Sequence, residues 1–437
     1  PQTLLRTHRT TQPIHNPIMD GKDIMSSTAV TQPRILAPDV ARGFTLLGIA
    51  IANATTAWLY ISPDTPGSMA GGIVNNSIFD KIAIILGSIF THVRGMPMFA
   101  TLLGYGVGMI AMSLQRRNYP PKKARLVLIR RYFFLAIFGI LHLSLLFFGD
   151  IMFVYGIMGI ILALLSRFKD KTLLIITGVL GAIGLVFVSL MTIRITSGDT
   201  PTNSDALLSS LSTPESYATL VSHAPAAFSY QINSLLSGLF FVLPIMILGM
   251  VAARHNVLGQ PEKYKTLLIR FTIVAVIISF GLGISLGLGE IGVLSENTTL
   301  YLRILNQVAG ICAGPGIVAS IALATIPLQR RIDAAHVNNS DYPLPIPLQA
   351  IIALGKRSMT GYLLQSILFV LLTSTFTIGL GRGQGAWEAS LVATLIWAIT
   401  LAIAYALEKT NLRGPFEVVH RRLSYGRTGL TTFTPTQ

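Results

Sequence analysis

His142 and Asp150 stand eight residues apart in LHLSLLFFGDIMFVYG (141–156), a run otherwise rich in leucine, phenylalanine and isoleucine. An imidazole can take a proton from a hydroxyl or amine near neutral pH, and a carboxylate can orient that imidazole. The pair therefore suits acyl or proton transfer, with His142 as base and Asp150 orienting it or holding an acceptor. A plainer arrangement satisfies the same residues. His142 would then bond a neighbouring helix and Asp150 would cap the next one, GD before IMFVYG being a sound helix start. On one continuous helix the two would sit ~12 Å apart, so direct contact requires the chain to turn at Gly149.

Other polar residues fall at similar depth. Of the eight histidines, only His92 and His142 lie within apolar runs. His92, Arg94 and Pro97 interrupt the long stretch DKIAIILGSIFTHVRGMPMFATLLGYGVGMIAM (80–112). Ionisable groups inside a membrane are costly and usually face a bundle interior or a water-filled cavity, which makes His92 a third candidate catalytic group and Arg94 a candidate substrate-binding one. A second set lies at the opposite face. Arg42 stands three residues after Asp39 in PDVARGF, and Arg130 and Arg131 sit one turn inside an apolar run. These arginines suit a phosphate-bearing ligand. An Asp39–Arg42 helix pair and snorkelling arginines are the ordinary alternatives.

The elements that must position these groups are membrane helices. The 437 residues are 51% hydrophobic and only 12% charged, about half the charge of a soluble chain. The net charge of +15 is spread over short gaps between apolar runs rather than one face, which argues for cytoplasmic loops and against nucleic acid. Ten spans are expected, at 43–62, 95–114, 126–148, 151–166, 172–194, 233–252, 266–288, 304–327, 360–380 and 389–407. The stretch 80–112 would be ~50 Å as one helix, so a half-inserted or interfacial helix near 81–92 and a break are expected before the second span. Non-helical backbone at that depth implies a cavity.

QRRNYPPKKARLVLIRR (115–131) carries seven basic residues and no acid, which makes it cytoplasmic. Alternation then places both termini on the cytoplasmic side, with Asp64, Asp80, Asp199, Asp205, Glu215, Glu290 and Glu296 outside. The expected organisation is a disordered cytoplasmic tail over 1–33, a transmembrane helical domain over 34–425, and a cytoplasmic tail over 426–437. The fold class is thus an all-α polytopic bundle. Gly104, Gly106 and Gly108 in LLGYGVG follow no strand, so close helix packing explains them better than phosphate binding. Cys312 is the single cysteine, so no intrachain disulfide forms.

DVARGFTLLGI with Asn53, HVRGMPMFATLLGYGVG, RRYFFLAIFGILHLSLLFFGDIMFVYGIMG, GKRSMTGYLLQSILF and RGPFEVVHRRLSYG occur in that order. In these motifs the chain resembles the YeiB-like family of bacterial membrane proteins, over nearly all of 34–425. Its N-terminal pattern is similar to the transmembrane acyltransferase superfamily, which includes lysosomal heparan-glucosaminide acetyltransferases. That resemblance implies an acyl group taken from a cytosolic thioester and passed to an acceptor across the membrane with a buried histidine. No motif match places His92 on that histidine.

Read together, catalysis is expected at His142, Asp150 and His92. Substrate binding is expected at Arg94, Asn53, Tyr362 and Gln365, and donor binding at Arg42, Arg130 and Arg131. No metal and no tightly bound cofactor are expected, with acetyl-CoA or another acyl-CoA as donor. The expected partners are membrane lipids and a small-molecule, glycan or lipid acceptor, not nucleic acid; a homo-oligomer is left open. A transporter or exporter of a small amphipathic solute using the same buried groups is the alternative. A non-catalytic scaffold leaves His92 and Arg94 unexplained.

The orientation has a direct test. In a variant lacking Cys312, single cysteines placed at 199–223 should react with an impermeant thiol reagent added outside intact cells. Those at 116–124 should react only after lysis, and the reverse pattern would invert the orientation.

Overall fold

A computed structural model describes residues 34–196, 204–338, 340 and 342–433, so the tail expected at 1–33 lies outside them. Residues in this range form helices and no strand. In chain order these are α1 (Leu36–Trp58), α2 (Ile78–Phe90), α3 (Gly95–Arg116), α4 (Pro121–Leu145), α5 (Met152–Leu165) and α6 (Asp170–Thr196). Then come the short α7 (Ser204–Ser212) and α8 (Tyr217–Ser222), α9 (Ala224–Arg254), α10 (Lys265–Glu290) and α11 (Glu296–Val337). The last four are α12 (Ile346–Lys356), α13 (Ser358–Thr373), α14 (Ala386–Lys409) and α15 (Pro415–Tyr425).

Among the described residues, eight helices are long and apolar enough to cross a membrane when α2 and α3 are taken as one. The spans expected at 151–166 and 360–380 fall on α5 and α13, which have only 14 and 16 residues. Helices this short reach ~21–24 Å, less than the ~30 Å hydrocarbon core, and their ends must be completed by protein. The 11-residue α12 matches no expected span; it packs against α1 and α14. Residues 426–433, expected within a tail, return to the loop after α3. There Phe433 N–H donates to Arg117 O at 2.9 Å and Arg117 Nη1 to Leu430 O at 2.7 Å.

The break expected after 81–92 is present at Thr91–Arg94, between α2 and α3. Val93 sits there at φ +58°, a conformation costly for a β-branched residue. The neighbouring Arg94 side chain fixes the turn, donating to Asn306 Oδ1 on α11 at 2.8 Å and to Ser88 O at 3.4 Å.

Small residues set how closely the helices approach. A Cβ on Gly104 of α3 would collide with the backbone of Met246, and one on Gly249 of α9 with that of Thr101. The same occurs between α4 and α5, where Gly139 meets the Phe153 backbone and Gly156 meets that of Ala136. Gly106, inside the same glycine run as Gly104, meets only the Arg42 guanidinium at an ordinary 3.7 Å. Packing therefore accounts for Gly104 and Gly108, not for every glycine of the run. Gly104→Val should lower the detergent melting temperature sharply, overpacking costing at least ~1–3 kcal/mol. Gly106→Ala should melt within a few degrees of the parent, and equal behaviour of the two would refute this packing role.

Candidate functional site

The turn between α4 and α5 brings the opening pair together. After Leu145 the chain reverses through 146–151, and Gln231 of α9 secures the turn by donating to Phe148 O at 2.8 Å. Asp150 consequently folds back onto α4, with its Oδ1 2.7 Å from His142 Nδ1. Its Oδ2 accepts the Phe153 N–H at 2.6 Å, capping the start of α5. The cap and the histidine contact, alternatives in sequence, are thus made by one carboxylate. On the far side of the imidazole, Nε2 lies 2.8 Å from Ser366 Oγ on α13. In the tautomer whose Nδ1–H donates to the Asp150 carboxylate, Nε2 is left to accept the serine O–H. Ser366, His142 and Asp150 form a continuous relay, each no more than 3% exposed.

Two residues flank the relay with unused hydrogen-bonding capacity. Tyr362, one turn before Ser366, places its ring 5.0 Å from that of His142. Its buried hydroxyl and the buried Nε2 of Gln365 have no hydrogen-bond partner among the described residues. An aromatic layer of Phe147, Trp58 and Phe369, with ring centroids 4.5 and 5.2 Å apart, closes the neighbouring space.

Cavities approach this point from both ends of the bundle. At the basic end, a cavity of about 400 Å³ is lined by Arg42, Arg131, Lys356, Arg421 and His420, and rises to Ile151, Tyr155 and Tyr362. At the opposite end a lobe of about 480 Å³ contains Asp150, Gln231 and Tyr230. A neighbouring lobe of about 370 Å³ contains His92, Asn306 and the bidentate pair Arg303–Glu290. Asn53, Met96, Ile151 and Gln307 line both lobes. Ile151 borders all three spaces, so only a thin apolar layer divides one end from the other.

The expected site residues separate accordingly. His142 and Asp150 touch, Tyr362 and Gln365 adjoin them on α13, and Asn53 and His92 face the lobes. Arg94 does not line a cavity: it is 1% exposed and held by Asn306, because its guanidinium is needed to fix the Thr91–Arg94 turn. His142 likewise lies behind the cavity walls, since both ring nitrogens are engaged. Arg42 and Arg131 share the basic cavity, with Arg42 3.7 Å from Asp39. Arg130 does not join them; one position along the helix, it is exposed and lies over the Phe134 ring. Sequence reasoning missed Ser366, Lys356 and Arg421. Ser366 carried one usable signal, its i+4 spacing from Tyr362 on the same helical face.

Helix α15 bounds the basic cavity. Glu417 accepts the Met359 and Thr360 N–H groups at 2.8 and 2.9 Å, capping α13 from outside its own helix. Arg131 donates to Tyr425 Oη at 3.0 Å, and His420 Nε2–H donates to Arg131 O at 2.9 Å. Burial, then the nearby Arg131 charge, pushes the His420 imidazole down from 6.5 to about 4.

Residues 252–427 match the family described as "Protein of unknown function (DUF418)". The chain is similar to "Uncharacterized protein YxaH" of Bacillus subtilis (strain 168), 23% identical over 422 residues, covering 91% of this chain and 95% of that protein. It is also similar to "Uncharacterized 39.9 kDa protein in amylase 3'region" of Bacillus acidopullulyticus, 22% identical over 410 residues, 90% of this chain and 94% of that one. The family match thus covers the C-terminal part of the chain, and both relatives are similar over nearly its whole length. The matched segment holds Tyr362, Gln365, Ser366 and α15, whereas His142, Asp150 and Arg131 come from before it.

The His420 geometry carries a pH dependence of definite sign. Its folded-state pKa lies below the unfolded value, so between 6.5 and about 4 the undocked helix binds a proton that the docked one does not. Docking of α15 should be unaffected above pH 6.5 and weaken as pH falls toward 4, by up to ~3 kcal/mol. Hydrogen exchange across 415–425 should rise over that window in the parent and much less in His420→Gln.

Proposed function

We propose that this protein is a membrane-embedded acyltransferase, moving an acyl group from a cytosolic thioester to an acceptor on the far side of the membrane. The single observation that carries the reading is the position of the Ser366–His142–Asp150 relay between a basic cavity and a polar vestibule. Acyl transfer needs a base, a group that orients it, and a place for each of two substrates. The relay supplies the first two. Arg42, Arg131, Lys356 and Arg421 suit the phosphates of an acyl-CoA. Helical rise puts His142 ~16 Å above Arg131, a span that the extended thiol arm of such a donor would bridge. Asn53, Gln307, Gln231 and His92 offer hydrogen bonds to a hydroxylated or amino acceptor, whether small molecule, glycan or lipid.

The excess of Lys and Arg in the loops near α3, α4 and α15 supports a cytoplasmic basic end in a bacterial cell membrane, with both termini on that side. The YeiB-like motifs and the acyltransferase-like N-terminal pattern favour the same activity. A transport reading has one observation of its own. Cavities from both ends stop at Ile49 and Ile151, the arrangement of an occluded alternating-access protein.

Thiol release separates the two. Purified protein in vesicles of bacterial lipid extract should release free thiol from acetyl-CoA supplied at the basic face. His142→Gln should reduce that release at least about a hundredfold, and Arg421→Gln should raise KM for the donor about tenfold with little change in kcat. Movement of a solute across the vesicle without thiol release, abolished by the same His142 variant, would favour transport.

A further inference from the structure

We infer that Ser366 is the nucleophile of the reaction and carries the acyl group as an ester, so that transfer proceeds in two steps through a covalent intermediate. This inference rests on the acyl-transfer reading above and specifies how the transfer occurs. The argument begins with what His142 can reach. Nδ1 is committed to Asp150 at 2.7 Å and Nε2 to Ser366 Oγ at 2.8 Å, leaving neither ring nitrogen for an acceptor. The only proton His142 can take in this arrangement is the serine's. A base aimed at a serine hydroxyl, itself oriented by a carboxylate, is the geometry that activates a nucleophile.

The surroundings agree. Ser366 has one other contact, a long 3.4 Å approach to Tyr362 O within its own helix, which competes poorly with the imidazole. A carbonyl attacked by Ser366 develops negative charge on oxygen, and Tyr362, whose ring lies 5.0 Å from that of His142 on the same face of α13 as Ser366, carries a buried hydroxyl that can donate to it. Tyr362 lines the basic cavity directly beneath the relay, on the path of an incoming donor. Asp150, at the other end of the relay, lines the far vestibule where an acceptor would arrive. An ester formed at a site 3% exposed is shielded from water until that acceptor reaches it.

The steps balance. Ser366 Oγ bonds to the thioester carbonyl carbon while His142 Nε2 takes the hydroxyl proton. The C–S bond breaks, and the departing sulfur receives that proton as a free thiol. In the second step the acceptor's hydroxyl or amine attacks the ester carbonyl and His142 takes its proton. The C–Oγ bond then breaks and His142 returns the proton to Ser366. No electron acceptor or donor is involved.

The test uses the full chain in detergent and two probes. A fluorophosphonate should label the parent on Ser366, and radiolabelled acetyl-CoA should leave a stable acyl group on the same peptide. Ser366→Ala should lose both labels, and His142→Gln should slow both at least about a hundredfold, each variant melting near the parent. Ser366→Cys should recover the acetyl label as a thioester cleaved by hydroxylamine at neutral pH. Thiol release that persists in Ser366→Ala within about tenfold overturns the covalent intermediate and leaves the acyl-transfer reading standing. Acetyl label on another residue does the same. Fluorophosphonate labelling of Ser366 without any thiol release supports the nucleophile and overturns the thioester reading instead.

Discussion

A carboxylate buried among membrane helices is tolerated only if hydrogen-bond donors replace its water. Asp150 has two. One is the His142 imidazole and the other is the backbone N–H at the start of α5. Both require α5 to lie almost against α4, and Gly139 and Gly156 permit that approach because neither presents a Cβ to the opposing backbone. The demand of one carboxylate therefore fixes a helix terminus, an interhelix distance and the orientation of an imidazole. Through His142 it also sets the register of α13, whose Ser366 must meet Nε2.

The same device recurs at two other places. Asp80, 1% exposed, accepts the Trp387 N–H of α14 at 2.9 Å and the Val74 N–H at 3.0 Å. Glu417 caps α13 from α15. In all three cases a carboxylate satisfies amide groups that would otherwise point into a low-dielectric interior, where helix termini leave donors unpaired. Two of the three capped helices, α5 and α13, are those too short to cross the bilayer core by themselves. Their ends lie within the protein, and the caps make that burial affordable. Shortness is thus part of the site: α5 begins just after Ile151 at the central layer, and α13 begins on the wall of the basic cavity, which Ser358 and Met359 line, and reaches the central layer at Tyr362.

Spans, and the break at 91–94, were legible because a bilayer imposes a length on every apolar run and 80–112 exceeds it. His142 and Asp150 stood out for their cost, and Gly149 marked where the chain had to turn. Their contact depended on Gly139 and Gly156, whose partners are set only by tertiary packing. Ser366 was hidden because a serine in an apolar helix ordinarily bonds back to its own backbone, as Ser88 does to Ile84 O. Arg130 and Arg131 were indistinguishable in sequence, being adjacent and equally basic. About 100° of helical rotation turns one toward the cavity and the other away. Arg94 looked like a ligand group because no sequence pattern announces Asn306, more than two hundred residues later.

The central layer follows from these constraints. If the two ends communicated freely, water would reach the relay, and a thioester or ester there would hydrolyse rather than transfer. Ile49, Ile151, Tyr155 and Tyr362 fill that layer with apolar surface and aromatic rings. Tyr155 is tied by its hydroxyl to Met96 O at 2.7 Å, whereas the Tyr362 hydroxyl has no hydrogen-bond partner among the described residues. The two tyrosines are therefore unequal: moving Tyr155 breaks a short buried hydrogen bond at a cost of ~1–3 kcal/mol, while moving Tyr362 gives up only a looser approach to the Ile151 backbone. In the proposed reaction Tyr362 is consequently the side chain that yields to the donor, and Tyr155 is the one that keeps the far vestibule closed while it does.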